Sequence, residues 1–185
     1  MKLLEMKKEV LRLIEEISED ADKLTEDLDI EKKLNSVINL IMLELARIKR
    51  IPARINKDIY KENLIFDMRD LENFFQLHSV IFLDKNGEEK EIDMFESIIE
   101  APCEGTLKLK YYKYPKRITY ETKDEEYTFE LSEDALGIMP YGVAADLLKN
   151  DVSSQYGKIY AEKYESMKQM LDPRYSVGMI YIEEA

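Results

Sequence analysis

His78 is the only histidine and Cys103 the only cysteine among the 185 residues. A Ser-His-Asp or Cys-His relay therefore has a single imidazole to draw on, and a centre built on several histidines or thiolates has no ligands. His78 lies inside the apolar stretch 74–83, where a strand is expected and a hydrogen-bonded or surface histidine is the ordinary outcome. Cys103 follows Pro102 in a turn-like setting; with no second histidine or helix start to lower its pKa it reads as an inert thiol. The carboxylates Glu88, Glu89, Glu91 and Asp93, and Asp124, Glu125 and Glu126, lack the alternating oxygens and turn glycine of a calcium loop, so they read as solvated charge. The 6 glycines are scattered and no Lys-Ser or Lys-Thr follows a glycine pair, so no phosphate-cradling loop is expected. No catalytic residue, metal ligand or cofactor is assigned, and the chain is expected not to be an enzyme.

Two basic clusters are left. Lys108, Lys110, Lys113, Lys116 and Arg117 are interleaved with Tyr111, Tyr112 and Tyr114. That is the composition of a platform for single-stranded nucleic acid, in which cations follow phosphates and rings stack on bases. The other reading is an amphipathic strand with charged edge protection whose aromatics pack the sheet. Arg47, Lys49, Arg50, Arg54 and Lys57 form the second cluster, with no acid between positions 47 and 57. It fits helix-dipole complementarity at a helix C-terminus, or a contact with a phosphate or an acidic partner. The whole chain carries 39 acidic against 27 basic residues, a formal net charge of -12; that balance repels phosphates wherever bases are not gathered locally.

The elements that must position these residues follow from periodicity. Leu3, Met6, Val10, Leu13, Ile14 and Ile17 predict a helix over 3–17. Thr25, Asp27 and Asp29 then offer caps for a second helix over about 30–50. Its Ile30, Leu34, Val37, Ile41, Leu45 and Ile48 recur at spacings of three and four, as in a seam against another helix. Leu40 and Leu43 widen that apolar surface, so neighbours on two sides are expected, one of which could be another subunit. Pro52 closes the segment.

From 64 to 130 the pattern turns to β-branched and aromatic residues with turn signals. Asn86-Gly87 predicts a hairpin between 74–83 and 90–95. Residues 105–114 place Leu107, Leu109 and Tyr111 on one face and Thr106, Lys108, Lys110 and Tyr112 on the other. Shorter strands are expected at 118–120 and 126–131. Ser132 starts a helix over 135–148, in which Pro140 implies a kink or a fresh helix start. A last helix spans about 154–171, its tyrosines and methionines suited to a core or a subunit interface. The tail 175–185 has apolar residues without helical period and reads as an edge strand or an arm laid on a neighbour.

With 45% hydrophobic and 36% charged residues the chain is expected to fold as one domain, 1–185. The expected class is α+β: an N-terminal helix pair (1–58) and a C-terminal helix pair (132–174) form a helical body, with a small antiparallel β-sheet inserted between them (59–131) and a C-terminal arm (175–185). Lys7, Lys8, Glu9 and Arg12 break any signal peptide, and no stretch approaches the about 20 apolar residues of a membrane span. A single cysteine fits a reducing cytoplasm. The expected protein-interface residues are Leu40, Leu43, Arg47, Arg50 and Arg54, with Tyr175, Val177, Met179, Tyr181 and Ile182 of the tail.

Tyr111-Tyr112-Lys113-Tyr114-Pro115, an acidic linker to Phe129-Glu130-Leu131, and Met139-Pro140-Tyr141-Gly142-Val143-Ala144-Ala145-Asp146-Leu147-Leu148 resemble tailed-bacteriophage head-to-tail connector (adaptor, or neck) proteins. The resemblance covers most of the chain as an order of segments and is sharp over 111–175. It implies a non-enzymatic virion subunit, made in the bacterial host cytoplasm, that assembles side by side into a ring under the portal and joins capsid to tail. Its expected partners are further copies of itself, the portal protein and tail or neck proteins, with DNA passing through the channel without specific binding and no membrane. The helices at 140–148 and 156–171 would build the subunit body, and the tail would reach a neighbour or the portal. The alternatives are a tail-completion or other phage structural protein, and a non-viral cytoplasmic interaction module.

Overall fold

The computed structural model describes residues 1–18, 23–149 and 155–171. They fall into two units, Met1–Lys49 with Pro115–Ala185, and Arg50–Tyr114.

In the first unit the sequence around Pro140 is apolar on every side of a helix, which suits a helix surrounded by others. It forms α3 (Glu133–Leu148), with Ala135, Leu136, Ile138, Met139, Pro140, Gly142, Val143 and Ala144 all buried. The helix runs through Pro140, so no new helix starts there. Around it pack α1 (Leu3–Leu13), α2 (Leu28–Ile48) and α4 (Gln155–Leu171). Asp27 starts α2 by accepting hydrogen bonds from the amides of Asp29 (2.8 Å) and Ile30 (3.1 Å). The buried stripe of α2 is Leu34, Ile38, Ile41, Met42, Leu45 and Ala46. Gly142 lets α3 and α4 approach, because a Cβ there would lie 2.8 Å from the Tyr164 ring. Gly157 meets Leu148, and these two meeting points run in opposite directions, so the helices are antiparallel.

Two expectations for this unit are corrected. The first helix stops at Leu13 rather than 17: Glu15 takes a left-handed φ of 59°, and the Glu16 amide donates back to the Leu11 carbonyl at 2.9 Å. That closure has no glycine to announce it. Residues 118–120 and 126–131 are not strands of a sheet. Tyr127, Phe129 and Leu131 do alternate inward, but the backbone of this extended segment pairs with the chain start, through a bridge of Lys2 with Thr128 and the Leu3 amide on the Tyr127 carbonyl at 3.1 Å. Asn39 of α2 grips the other stretch, donating to the Ile118 carbonyl (2.7 Å) and accepting from its amide (2.9 Å).

The second unit holds seven strands in two antiparallel sheets. The larger is ordered β1 (Ile51–Ile59), β7 (Gly105–Lys113), β3 (Phe74–Asp84), β4 (Glu89–Lys90). The smaller is ordered β2 (Ile65–Asp67), β6 (Ile98–Glu100), β5 (Asp93–Phe95). Inward-facing Leu107, Leu109, Tyr111 and Phe82 of the larger sheet and Phe66 and Ile99 of the smaller belong to one core, closed by Met68, Leu71 and Ala101. At the hairpin, Gly87 adopts a φ of 81° that an L side chain rarely tolerates. The Asp84 carboxylate accepts from the amides of Asn86 (2.8 Å) and Glu88 (2.9 Å).

The expected fold class is thereby corrected: in place of one small antiparallel sheet between helix pairs, the middle of the chain builds two sheets with a core of their own. The strands begin at Ile51 and end at Lys113, not within 59–131. Residues 51–59 were expected to belong to the helix terminus and its loop, because Pro52 and the cations Arg54 and Lys57 hide the β pattern; as an edge strand, β1 tolerates the missing proline amide. The return strand expected at 90–95 is split. After two paired residues it leaves the first sheet, and Asp93–Phe95 joins the second.

Candidate functional site

The larger sheet presents an outer face whose composition follows from period-two alternation. With Leu107, Leu109 and Tyr111 inward, β7 turns Lys108, Lys110 and Tyr112 outward, the face expected for them. Lys110 lies directly between Arg54 of β1 and Ser79 of β3, and Lys108 between Asn56 and Ile81. Arg54, Lys108 and Lys110 are all exposed. Like charges directly opposite one another destabilise a sheet, and among the described residues no acid relieves this pair. Ion pairs elsewhere in the unit join Arg69 to Asp67, Lys85 to Glu104, and Lys90 to Asp84 and Glu88. Two acids share the face. Asp58 accepts from the Thr106 hydroxyl at 2.9 Å, and Glu89 pairs with Leu83 at the far edge.

At the end of this face the Arg50 guanidinium sits 5.2 Å from the centre of the Tyr112 ring, and the His78 ring lies 5.6 Å from it. His78 is thus an exposed partner of an aromatic cluster, and Cys103 is half-buried in the turn before β7. Among the described residues no group of three or more histidine, cysteine or acidic side chains could hold a metal ion.

The smaller sheet has the opposite character. Phe66 and Ile99 point to the core, so Ile65, Glu100 and Asp93 in one row and Asp67, Ile98 and Phe95 in the other face outward. Phe95 is 74% exposed and Ile65 55%. Asp67 is held well below the usual carboxylate range by hydrogen bonds from Arg69, so it stays ionised.

The expected interface residues are dispersed. Leu40, Leu43 and Arg47 share one stripe of α2 at spacings of three and four; Leu40 is 56% exposed, Leu43 half-buried and Arg47 exposed. Arg50 and Arg54 belong instead to the sheet unit, Arg54 on the outer face of its larger sheet. Tyr175, Val177, Met179, Tyr181 and Ile182 lie outside the described residues. Exposed Tyr156, Ile159 and Met170 on α4 extend the apolar surface of the helical unit. Sequence reading took Asp93 as solvated charge and did not single out Ile65, Phe95 or Glu100. The Phe95 signal, an aromatic two positions from an acid in a presumed hairpin strand, appears only once that strand is seen to change sheets.

Inside the helical unit several polar groups are paired between elements, while the buried side-chain oxygen of Asn35 has no hydrogen-bond partner among the described residues. Lys168 of α4 bridges Glu44 of α2 at 2.7 Å, and the Tyr164 hydroxyl donates to the same carboxylate at 3.1 Å. Burial and the nearby Glu44 charge push the Tyr164 phenol far upward. Tyr127 donates to the Lys116 carbonyl at 2.5 Å, and burial pushes its phenol up to about 12. Lys7 and Asp124 form a largely buried pair at 2.7 Å. No helix among the described residues is long and apolar enough to cross a membrane. No family model matches the chain, and no curated protein matches it.

Proposed function

We propose that this chain is a non-enzymatic structural subunit of a tailed-phage virion, a head-to-tail connector that forms a ring under the portal. The observation that carries this reading is that both units expose apolar side chains outside their cores: Leu40, Tyr156, Ile159 and Met170 in one, Ile65, Met94 and Phe95 in the other. Exposed apolar surface on each of two units is the mark of a component that docks to several neighbours. The resemblance at 111–148 names the assembly; further copies, the portal and tail or neck proteins are the partners, and the virion is its place.

The test is to mix the purified full-length chain with purified portal rings of the virus that encodes it, and to image the product by negative-stain electron microscopy. A second ring capping one end of the portal is the expected result. Portal rings left bare at micromolar concentrations of the chain would overturn the reading. Rings that cap tail tubes but not portals would favour the tail-completion alternative.

A further inference from the structure

The two sheets of the second unit share one core, so their outer faces look away from each other, and these faces are complementary. One carries Arg54, Lys108 and Lys110 beside Ile81, which is itself exposed. The other carries Asp93 and Glu100 beside Ile65, Ile98 and Phe95. Among the described residues none of these five charged groups is engaged in an ion pair within its unit. A surface with cations around an apolar residue on one side, and carboxylates around apolar residues on the other, fits a second copy of itself placed head to tail. Such a contact is heterologous, and repeated with closure it makes a ring.

We propose that the basic outer face of the β1-β7-β3-β4 sheet of one subunit docks on the acidic, apolar outer face of the β2-β6-β5 sheet of the next. This rests on the ring reading above and assigns the surfaces that form the ring. Phe95 and Ile65 supply the apolar centre, and Lys108 and Lys110 meet Asp93 and Glu100. The charges set orientation, because either face against its own kind brings like charges together. Arg54 and Lys110, opposed at a cost within one subunit, then find their counter-charge in the neighbour.

The experiment uses the full chain with two double variants, Lys108→Glu with Lys110→Glu, and Asp93→Lys with Glu100→Lys. Assembly, with and without portal rings, is read by sedimentation velocity and electron microscopy. Each variant alone is expected to lose at least tenfold in assembly, since both of its faces then carry one sign, while an equimolar mixture regains it by alternating the two. Wild-type rings with both variants assembling normally would overturn the face assignment and leave the ring reading standing; no assembly of the wild type under any condition would overturn both. Because reversed charges can disturb folding, carbodiimide cross-linking of unaltered, isotope-mixed protein is the second measurement. Cross-links between subunits joining Lys108 or Lys110 to Asp93 or Glu100 are expected, and cross-linked rings lacking them would overturn the proposal. A single-stranded oligonucleotide that binds the wild type, loses binding on Lys108→Glu with Lys110→Glu, and leaves assembly of that variant unchanged would instead make the face a nucleic-acid platform.

Discussion

Among the described residues of the helical unit, beside local pairs three residues apart, three ion pairs join distant segments: Lys7 with Asp124 at 2.7 Å, Lys49 with Asp134 at 2.8 Å, Lys168 with Glu44 at 2.7 Å. In the sheet unit Arg54 stands directly opposite Lys110 with no acid between them, and its ion pairs lie elsewhere, close in sequence or at the hairpin. Pairs that span distant segments hold a fold. Unpaired like charges on an open sheet face contribute nothing to it, and they persist where something outside the unit supplies the opposite charge. The contrast is what the proposal of a helical body and a two-faced contact sheet rests on.

The largest effects that could break this contrast lie in the two cores. Among the described residues Phe82 is the largest fully buried side chain and belongs to the core of the sheet unit, and Met139 is fully buried in the helical unit. Phe82→Ala is expected to cost about 3–5 kcal/mol and Met139→Ala about 2–5 kcal/mol. Followed by amide exchange, the first accelerates exchange in the strands of 50–114 and the second in α1, α2 and α3. Equal acceleration throughout the chain from either variant would show that the two units are one cooperative body.

Next in size is alkaline loss, which belongs to the helical unit. Tyr127 and Tyr164 keep their protons in the folded chain beyond the pH of about 10 at which an unfolded tyrosine ionises. Above that pH the unfolded state binds fewer protons than the folded one, so this part of the stability is complete below pH 10 and falls as pH rises further. The thermal unfolding midpoint should therefore fall between about pH 10 and pH 12. Tyr127→Phe costs about 1 kcal/mol at neutral pH for its lost hydrogen bond and flattens the alkaline fall. An alkaline fall as steep in the variant as in the wild type would remove Tyr127 as its source.

The smallest effects are on the surface. Phe95→Ser and Leu40→Ser should change stability by no more than about 0.5 kcal/mol, yet weaken assembly. Lys110→Gln removes the like-charge pair with Arg54 and should stabilise the isolated chain by a few tenths of a kcal/mol, roughly. Chemical denaturation at low salt measures all three, and destabilisation by Lys110→Gln would mean that the basic face serves the fold itself.

How much of this was legible in the sequence differs between the units for physical reasons. The existence of α2, α3 and α4 and the inward alternation of Leu107, Leu109 and Tyr111 were legible from side-chain spacing, but the buried stripe of α2 turns toward Ile38, Met42 and Ala46, and α4 buries Gly157, Tyr164 and Leu171 while leaving Tyr156, Ile159 and Met170 exposed. Glu15 ended a helix without a glycine, and Pro52 opened a strand that reads locally as a helix terminus; in both, backbone geometry overrode the local signal. Tyr127, Phe129 and Leu131 alternate as a strand does, but their neighbour is the chain start, so the pattern reported burial rather than a ladder. The second sheet was hidden because its strands are only three residues each, too short for any period. Leu40 and Arg54 were expected at an interface and are exposed, whereas the complementary acidic face depended on which strands pair.

The most direct test of the connector proposal is a cryo-EM map of the neck of the phage particle in which that proposal places this chain. The expected result is a closed ring of copies of this fold beneath the portal, with the basic sheet face of each copy against the acidic sheet face of the next. A neck ring built from a different fold, with this chain absent from the purified particle, would contradict the connector reading.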